Sequence, residues 1–372
     1  MREFTDGSSA IVRGALAAGC TFFAGYPITP ASPILVAMLQ ELPKVGGVAI
    51  QAEDELASIG MCIGAAMSGA RALTATSGPG ISLYSENIGL AIMGEVPLVI
   101  VDVQRLGPST GGATTVGQGD VQFVRWGTAG GYPIIALTPS SISECYSLTM
   151  RAFDLAERFR CPVFLLTDKE LNMTMNTVDL GQYEDVPVRE RETYRAENGR
   201  DFAPYCYQPL DGVPPMAHYG QDVVVRFTGS THDERAFITK HPPTVGALNR
   251  HLAAKIEEHR DEIELVRADL EPGAKTLLIS YGVTARAMHE AVGRAREQGK
   301  RVSTLTIHSL WPVPETAIQS ALGGIERVVV AELNLGQYRR EIQRFAADRD
   351  LLGLNRVDGE LISPDQFLEV IR

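Results

Sequence analysis

The chain has 372 residues, of which 45% are apolar and 21% are charged, a composition typical of a globular protein large enough for two domains. Acidic residues outnumber basic ones by 45 to 34, and the formal charge of −11 argues against a nucleic-acid or anionic-membrane partner. No stretch resembles a membrane-spanning helix, and the N-terminus lacks a basic region followed by an apolar core, so we expect a cytoplasmic protein.

The five cysteines stand far apart along the chain, without any C-x-x-C pair: Cys20, Cys62, Cys145, Cys161 and Cys206. This spacing favours reduced, mostly buried thiols and does not suit an iron–sulfur cluster or a structural zinc ion. The seven histidines form no H-E-x-x-H or similar ligand pattern. We therefore expect no metal site within this chain.

Residues 1–177 alternate short apolar runs with helical patterns, which predicts a doubly wound α/β domain. The runs do not alternate apolar and polar residues, as expected of parallel strands that are buried on both faces. The predicted strands are Thr21–Gly25, Gly47–Ile50, Ala72–Thr76, Pro97–Val101, Pro133–Leu137 and Pro162–Leu166. The predicted helices are Ser8–Ala18, with Asp6 or Ser8 as its cap, Ala31–Leu42, Glu55–Ser68, Ile81–Met93 and Ser141–Phe159.

From residue 178 to residue 243 the alternation fades, and the segment is rich in Pro, Gly, Asp, Tyr and Arg. This composition predicts a long connection between two domains. Residues 244–372 begin with a predicted helix, Val245–Val266, and then return to alternation, which predicts a second, smaller α/β domain with a tail. Its further predicted elements are the strands Lys275–Ser280, Val302–Ile307 and Arg327–Glu332 and the helices Ala285–Gln298 and Pro314–Leu322.

A proline-rich elbow, Tyr26-Pro27-Ile28-Thr29-Pro30, directly follows the first predicted strand. Proline fixes its own φ angle and moves the preceding residue out of the helical region, so Thr29 should lie at the C-terminal end of the strand. Ligands of open α/β sheets bind at that end. A simple proline-rich turn between a strand and a helix explains the same residues, and this alternative stays open.

Three acidic residues, Glu53, Asp54 and Glu55, lie at the start of the predicted helix Glu55–Ser68. The helix dipole favours an acidic first turn, which is the simpler explanation of this cluster. One face of the same helix carries small residues that would allow another backbone or a flat ligand to approach closely: Ala57, Gly60, Gly64, Ala65, Ser68 and Gly69. Glu55 at the start of this helix is a candidate functional carboxylate.

Two glycine-rich turns follow further predicted strands. The first, Thr76-Ser77-Gly78-Pro79-Gly80, could cradle an anion, although it matches neither the phosphate-loop nor the dinucleotide fingerprint. The second is Gln104-Arg105-Leu106-Gly107-Pro108-Ser109-Thr110-Gly111-Gly112. Its single arginine, placed among hydroxyl groups and glycines, suits the recognition of a carboxylate or a phosphate. A surface salt bridge is the alternative for Arg105.

In order and spacing, the elbow, the acidic helix start and the two glycine-rich turns resemble the alpha subunit of 2-oxoacid:ferredoxin oxidoreductases. The resemblance spans nearly the whole chain and is closest to the 2-oxoglutarate-type branch. Three later segments contribute to it: Gly229-Ser230-Thr231-His232-Asp233-Glu234, Leu310-Trp311-Pro312-Val313-Pro314 and Glu332-Leu333-Asn334-x-Gly336-Gln337.

The resemblance implies a first domain that binds the aminopyrimidine ring of thiamine diphosphate and a second domain similar to the C-terminal domain of transketolases. It implies that Glu55 hydrogen-bonds the pyrimidine N1′ atom, which favours the imino tautomer. Thr29 would contact the substrate, and Arg105 would meet a substrate carboxylate or coenzyme A; with Glu55 these are the implied catalytic residues. The other implied contacts are Tyr26, Pro27, Ile28, Ser77 and Gly78 for the cofactor, and Ser109 and Thr110 for the substrate or coenzyme A.

The implied reaction is the oxidative decarboxylation of a 2-oxoacid with coenzyme A to acyl-CoA, CO2 and reduced ferredoxin, with succinyl-CoA as the product from 2-oxoglutarate. Because the chain has neither a G-D-G motif nor the cysteine spacing of a cluster, we expect it to hold only half of the active site. The resemblance implies a beta subunit that supplies the diphosphate site, Mg2+ and a [4Fe-4S] cluster. It further implies a separate gamma subunit, a delta ferredoxin-like subunit as an additional candidate, and ferredoxin as a partner.

Three alternatives stay open at this stage. The substrate could be pyruvate or a branched-chain 2-oxoacid, because Thr114, Thr115 and Gln118 are pocket candidates whose positions the sequence leaves open. A catalytically silent assembly subunit would keep the same fold, although the presence of all three implied catalytic residues favours catalysis. A self-sufficient nucleotide-binding oxidoreductase is disfavoured because the chain lacks a dinucleotide fingerprint.

Overall fold

The structure is a computed structural model that describes residues 2–183, 186–195 and 202–371. Residues 1 and 372, at the ends of the two predicted domains, lie outside the described residues. The same holds for residues 184–185 and 196–201 of the predicted connection.

The secondary structure alternates strands and helices on both sides of a long irregular segment. The strands are β1 (Arg2–Thr5), β2 (Phe22–Gly25), β3 (Val48–Gln51), β4 (Ala72–Thr76), β5 (Leu98–Gln104), β6 (Ile135–Leu137), β7 (Pro162–Asp168), β8 (Asn176–Asp179), β9 (Val266–Asp269), β10 (Thr276–Ser280), β11 (Val302–Ile307), β12 (Ser309–Trp311), β13 (Arg327–Glu332) and β14 (Asp350–Asn355). The α-helices are α1 (Gly7–Ala17), α2 (Ser32–Glu41), α3 (Glu55–Met67), α4 (Pro79–Leu83), α5 (Ser85–Met93), α6 (Val121–Trp126), α7 (Ile142–Phe159), α8 (Lys169–Met173), α9 (Pro242–Glu257), α10 (Arg260–Ile263), α11 (Thr284–Glu297), α12 (Glu315–Ala321), α13 (Arg339–Ala346) and α14 (Pro364–Val370). Short 3-10 helices cover Leu42–Val45 and Leu180–Tyr183.

In the described part of the chain, seven strands form the first sheet in the order β12-β6-β7-β5-β4-β2-β3. All neighbours pair in parallel except β12, which runs antiparallel to β6. Every residue of β4, β5 and β7 is buried, because helices cover both faces of the sheet. The edge strand β12 comes from the second half of the sequence, so the first sheet is completed across the domain boundary.

The second sheet has the order β14-β13-β10-β11-β9, in which only β9 runs antiparallel to its neighbour. Its inner strands β10 and β11 are buried along their whole length. Two doubly wound α/β domains with parallel sheets were predicted, and this fold class is confirmed. The domain bounds themselves stay a prediction.

Most predicted elements are confirmed to within one to three residues, and two need correction. The single helix predicted over Val245–Val266 is wrong in its last part, where α9 ends, the short α10 follows and β9 begins at Val266. Pairing of β9 with β11 outweighs the local helical pattern. The helix predicted over Ile81–Met93 is two helices, α4 and α5, separated at Tyr84, whose buried hydroxyl is hydrogen-bonded to that of Thr74 at 2.8 Å.

Other strands and helices were not predicted, namely β1, β8, β12, β14, α6, α8, α13 and α14. Of the two predicted caps of α1, Asp6 is the one used, since its Oδ1 accepts a hydrogen bond from the Ser9 amide at 2.7 Å. The Ser8 hydroxyl instead donates to the backbone oxygen of Asn172.

The irregular connection is held to the first domain by charged side chains. Arg189 pairs with Asp154 on α7 at 2.7 Å, and Arg191 pairs with Glu157 on the same helix at 2.7 Å. Both carboxylates are almost completely buried by these contacts. These ion pairs therefore attach described residues of the connection to α7 of the first domain. Among the described residues, no helix has the length and apolar character needed to cross a membrane.

The two domains are joined by the buried side chain of Gln118, which lies in the loop after β5. Its amide nitrogen donates to the backbone oxygen of Tyr281 at 3.3 Å, and its oxygen accepts from the Leu333 amide at 3.1 Å and from the Thr284 hydroxyl at 3.1 Å. A Cβ atom at Gly282 would lie 2.3 Å from the Gln118 amide nitrogen, so only glycine permits this approach.

We expect Gln118→Leu to lower the free energy of unfolding by at least about 2 kcal/mol, because it leaves buried backbone groups of the second domain without partners. Gln319→Leu, at an exposed position of α12, is the matched control and should change stability by less than about 0.5 kcal/mol. Urea unfolding of both variants measures the difference. Equal stability of the two variants would contradict the role assigned to Gln118.

Candidate active site between the two domains

The sequence-predicted site residues gather at the carboxyl edge of the first sheet. Strand β4 lies between β2 and β5, so the segments that follow these three strands are neighbours. They are the elbow Tyr26–Pro30, the turn Thr76–Gly80 and the loop that begins at Arg105. This edge faces the second domain.

Arg105 connects two of these segments. It is only 5% exposed, and its Nη1 donates to the backbone oxygen of Thr29 at 2.5 Å, which ties the elbow to the end of β5. Its Nε atom is buried and meets no acceptor within the described residues, and Arg105 forms no salt bridge with any of them. A surface salt bridge therefore does not describe this arginine.

Glu55 begins α3 and is 8% exposed. The residue that caps the helix is its neighbour Asp54, whose Oδ1 accepts a hydrogen bond from the Ala57 amide at 2.7 Å. Helix capping therefore explains Asp54 but not Glu55. The Glu55 carboxylate makes no hydrogen bond or ion pair in the described portion of the chain. A Cβ atom at Gly80 would lie 3.0 Å from Glu55 Oε1 and 2.1 Å from Thr76 Oγ1, so the absence of a side chain there leaves room for the carboxylate.

The remaining predicted cofactor contacts lie on the elbow after β2 and on the turn after β4. The elbow is open to solvent at Tyr26, Pro27 and Thr29, whereas Ile28 packs partly into the core. Ser77 is completely buried, and neither its hydroxyl nor that of Thr76 has a hydrogen-bond partner among the described residues. Buried, unpartnered hydroxyl groups next to an unpartnered carboxylate fit a ligand that carries both donors and acceptors.

A cavity of about 620 Å³ lies between the domains beside these residues. Arg105, Gly78 and Ser109 line it from the first domain, and the motif around Asn334 lines it from the second. Its full lining is Gly78, Pro79, Ser82, Arg105, Leu106, Gly107, Pro108, Ser109, Gly117, Gly119, Asp120, Phe123, Leu333, Asn334, Leu335, Gln337 and Val357. Thr110 is exposed and outside this lining.

The pocket candidates Thr114, Thr115 and Gln118 do not line the cavity. Gln118 is instead the buried interdomain side chain described above. Asn334 holds the other side of the same contact, since its Nδ2 donates to the backbone oxygen of Gln118 at 2.7 Å while its Oδ1 accepts from the Gln337 amide at 2.8 Å. The second-domain motif thus shapes the cavity.

Two aspartates of the site were not predicted. Asp102 lies within β5 and is fully buried, and Asp120 lines the cavity just before α6. Burial, and after it the neighbouring Asp120 carboxyl, raise the pKa of Asp102 well above its usual value, while burial raises the pKa of Asp120 to about 6. A charged residue inside the otherwise apolar run Leu98–Val103 was the available sequence signal.

The cysteines and the remaining acidic groups form no further centre. All five cysteines are free thiols, and burial raises the pKa of Cys20 and of Cys161 to about 12; Cys206 is the exposed one. Within residues 2–183, 186–195 and 202–371, no group of three or more His, Cys, Asp and Glu side chains is arranged to hold a metal ion.

We expect Asp102→Asn to stabilise the chain at high pH. An aspartate whose pKa is raised on folding binds more protons when folded, so its cost is absent below the unfolded pKa of about 3.9 and grows as pH rises through the folded pKa. The variant should match the parent chain near pH 4 and exceed its free energy of unfolding at pH 8. Chemical unfolding at both pH values tests this, with the exposed Asp222→Asn as a control that should show no such divergence.

Family models match both halves of the chain. Residues 13–250 match the family described as "Pyruvate flavodoxin/ferredoxin oxidoreductase, thiamine diP-bdg", and residues 274–367 match "Pyruvate:ferredoxin oxidoreductase core domain II". The first match alone covers more than half of the 372 residues.

Individual proteins resemble the chain along its length. It is 42% identical over 370 residues to 2-oxoglutarate synthase subunit KorA of Methanothermobacter thermautotrophicus, covering 99% of this chain and 97% of that protein. It is 34% identical over 375 residues to ketoisovalerate oxidoreductase subunit VorB of the same organism, covering 100% and 97%. A solved structure of 2-oxoglutarate:ferredoxin oxidoreductase from Magnetococcus marinus, with 2-oxoglutarate, coenzyme A and succinyl-CoA bound, matches with a TM-score of 0.94 and 30% identity. That match covers 99% of this chain, which spans 64% of the length of the other.

Proposed function

Because the chain belongs to the 2-oxoacid:ferredoxin oxidoreductase family, we propose that it is the alpha subunit of a thiamine diphosphate-dependent enzyme that oxidises 2-oxoglutarate. The reaction converts 2-oxoglutarate and coenzyme A to succinyl-CoA, CO2 and reduced ferredoxin. The observation that carries the proposal is that the same edge of the first sheet presents two buried charged groups without a charged partner in the described chain. They are the carboxylate of Glu55 and the guanidinium group of Arg105, which lines the interdomain cavity.

The residues present fit the aminopyrimidine half of thiamine diphosphate. When bound, the cofactor supplies the nucleophilic carbon and the electron sink that decarboxylation of a 2-oxoacid requires. Glu55 would share a hydrogen bond with N1′ and hold the proton there. No other group in the described chain competes for its carboxylate. Tyr26, Pro27 and Ile28 of the elbow and the turn at Ser77 and Gly78 would hold the ring, and the buried Ser77 hydroxyl offers a free donor and acceptor.

Arg105 would bind a carboxylate of the substrate or a phosphate of coenzyme A. Its guanidinium group carries the only positive charge among the described residues that line the cavity. Thr29, held by Arg105 through its backbone oxygen, would meet the reacting part of the substrate. Ser109 in the cavity lining and the exposed Thr110 would contact the substrate or coenzyme A. Since 2-oxoglutarate has two carboxylates, we propose that the second is bound by a partner subunit.

The open side of the site supports a covering partner. The elbow is exposed, and so is a face of α3 that carries Leu56 and Met61, which are 48% and 40% exposed, together with Gly60 and Gly64. We propose that a beta subunit covers this surface and supplies the diphosphate site, Mg2+ and a [4Fe-4S] cluster. A gamma subunit, a ferredoxin-like delta subunit and ferredoxin itself complete the proposed assembly.

We further propose that the assembly works in the cytoplasm. The support is chemical, because five unpaired cysteines suit a compartment that keeps thiols reduced.

The substrate is tested by reconstituting the chain with its partner subunits and measuring viologen reduction with coenzyme A. The panel contains 2-oxoglutarate, pyruvate, 3-methyl-2-oxobutanoate and aromatic 2-oxoacids. The proposal requires the highest kcat/KM for 2-oxoglutarate. A preference for 3-methyl-2-oxobutanoate would instead favour the branched-chain alternative, to which the 34% identity with the ketoisovalerate subunit gives some support.

We expect Glu55→Gln to reduce turnover of the assembled complex by about 10²-fold or more, since glutamine keeps the size of the side chain but cannot hold the proton at N1′. Glu53→Gln is the matched control, because Glu53 is exposed and lies two residues earlier. Steady-state assays of both variants decide the assignment. Comparable losses in the two variants would show that Glu55 is the wrong carboxylate.

We expect Arg105→Ala to weaken use of the 2-oxoacid, of coenzyme A or of both by roughly 2–5 kcal/mol, because it removes the partner of a buried anion. An arginine in a surface ion pair would cost under about 1 kcal/mol. Kinetics with each substrate varied in turn identify the anion, and Arg286→Ala, at an exposed position of α11, is the control. Unchanged constants for both substrates would remove Arg105 from the site.

We expect the purified chain to fold but to bind thiamine diphosphate weakly, because it supplies contacts for the aminopyrimidine ring and none for Mg2+ and the diphosphate. Calorimetry with thiamine diphosphate and Mg2+ should show no tight stoichiometric binding to the chain alone and tight binding to the reconstituted complex. Tight binding by the chain alone would contradict the half-site and revive a self-sufficient enzyme.

A further inference from the structure

Asp102 and Asp120 bring two carboxyl groups together beside the cavity, which Asp120 lines while Asp102 is fully buried behind it. Asp102 stands opposite Thr76 of β4 and Leu166 of β7, and both of its carboxyl oxygens are buried without a hydrogen bond of normal geometry from the described residues. The backbone amide of Gly78 approaches Asp102 and lowers its pKa, but burial outweighs this effect. The Oδ2 atom of Asp120 is enclosed in the same way. Gln104, two residues after Asp102 and therefore on the same face of β5, accepts a hydrogen bond from the Asp120 amide, which places Asp120 on the face of the strand that carries Asp102. The neighbouring Asp120 carboxyl accordingly raises the pKa of Asp102.

The carboxyl group of Asp120 does not cap α6, although an aspartate at this position commonly does so. Asp120 precedes the first residue of α6, yet its side chain makes no capping hydrogen bond. Its backbone amide is instead held by the Gln104 side chain at 3.2 Å. The carboxyl group of Asp120 is therefore not used as a helix cap.

Two carboxylates this close in a buried setting do not both ionise readily, because their mutual repulsion adds to the cost of desolvation. One shared proton leaves the pair with a single negative charge. Burial raises the proton affinity of both groups, whereas the positive charge of Arg105 lowers the pKa of each. Arg105 makes no salt bridge to either aspartate, so its charge acts on the pair through space.

Other titratable groups near the pair are already engaged or lie apart from it. Asp168, at the end of β7, accepts hydrogen bonds from the amides of Leu171 and Val283. Glu332, across the domain boundary, accepts hydrogen bonds from the Tyr281 hydroxyl and from the backbone amides of Tyr338 and Arg339 at the start of α13. Glu55 approaches Gly80 on the neighbouring turn. Arg105 is thus the cation whose neutralisation changes the field at the pair.

We propose that Asp102 and Asp120 take up a proton when a carboxylate of the substrate pairs with Arg105, so that binding of the anionic substrate is coupled to proton uptake by this chain. The inference rests on the proposed function only in assigning a carboxylate to Arg105. An anion at Arg105 cancels the positive field that keeps the pair partly ionised, and a proton from solvent then neutralises it. The two aspartates are positioning residues that act through Arg105.

The coupling fixes the direction of a pH effect. Substrate binding strengthens as pH falls toward 6, the region in which the free pair loses its first proton, with up to a tenfold change in KM for each pH unit. Below this region the free pair is already protonated, and the dependence disappears.

The test measures protons taken up per anion bound by the reconstituted complex. Glutarate is the probe, because it keeps both carboxylates of 2-oxoglutarate and lacks the 2-oxo group that reacts. Titration calorimetry near pH 6.5 in buffers of different ionisation enthalpy should show uptake of a large fraction of one proton by the parent complex. Asp102→Asn and Asp120→Asn should bind glutarate without that uptake, whereas Asp168→Asn, which changes a buried aspartate held by two amides, should retain it.

Proton uptake that is unchanged in both Asp102→Asn and Asp120→Asn overturns the inference, as does glutarate binding to the parent complex without uptake. Infrared spectra of the full chain with 13C-labelled aspartate provide a second readout. A protonated carboxyl band is expected at neutral pH in the parent and should be lost in Asp102→Asn; its full persistence in that variant also overturns the inference. Turnover of 2-oxoglutarate without proton uptake leaves the proposed function standing, and uptake without such turnover overturns only the substrate assignment.

Discussion

The site depends on one buried amide group, the side chain of Gln118. It makes three hydrogen bonds to the second domain, and in the low-dielectric interior each unmet partner would be costly. These bonds hold the loop that begins at Arg105 against the strand ends of the second sheet. The cavity therefore lies at the domain boundary, and a shift of either domain would change its wall.

Charge is distributed sparingly around this cavity. The chain carries a net charge of −11, yet the described lining has one cation, Arg105, and places Asp120 close to it. Burying the carboxyl group of Asp102 destabilises the folded chain at neutral pH, and retention of such a group is typical of sites where proton affinity is used. Glu55 is also buried without a partner in the described chain, which is unfavourable until a ligand meets it.

Much of the fold could be predicted because its central strands are short, apolar and buried on both faces. Runs such as Ala72–Thr76 and Val302–Ile307 carry that pattern in every residue. Strands β9 and β12 could not be predicted, because each depends on pairing with a strand that is distant in sequence. Strand β9 pairs with β11, and β12 pairs with β6. The same holds for the break at Tyr84, where a buried hydroxyl contact with Thr74 divides a helical pattern.

The sequence by itself determined the α/β class, the family resemblance, and the segments at the carboxyl ends of β2, β4 and β5, because proline, glycine and charge at strand ends are local signals. Only the tertiary structure decided which side chains meet. It joined Arg105 to Thr29, enclosed Glu55 beside Gly80 and brought Asp120 to the face of β5 that carries Asp102. It also made Gln118 an interdomain link and left Thr110 exposed. Burial and partnership are properties of packing between distant segments, so a single residue's identity and spacing do not reveal them.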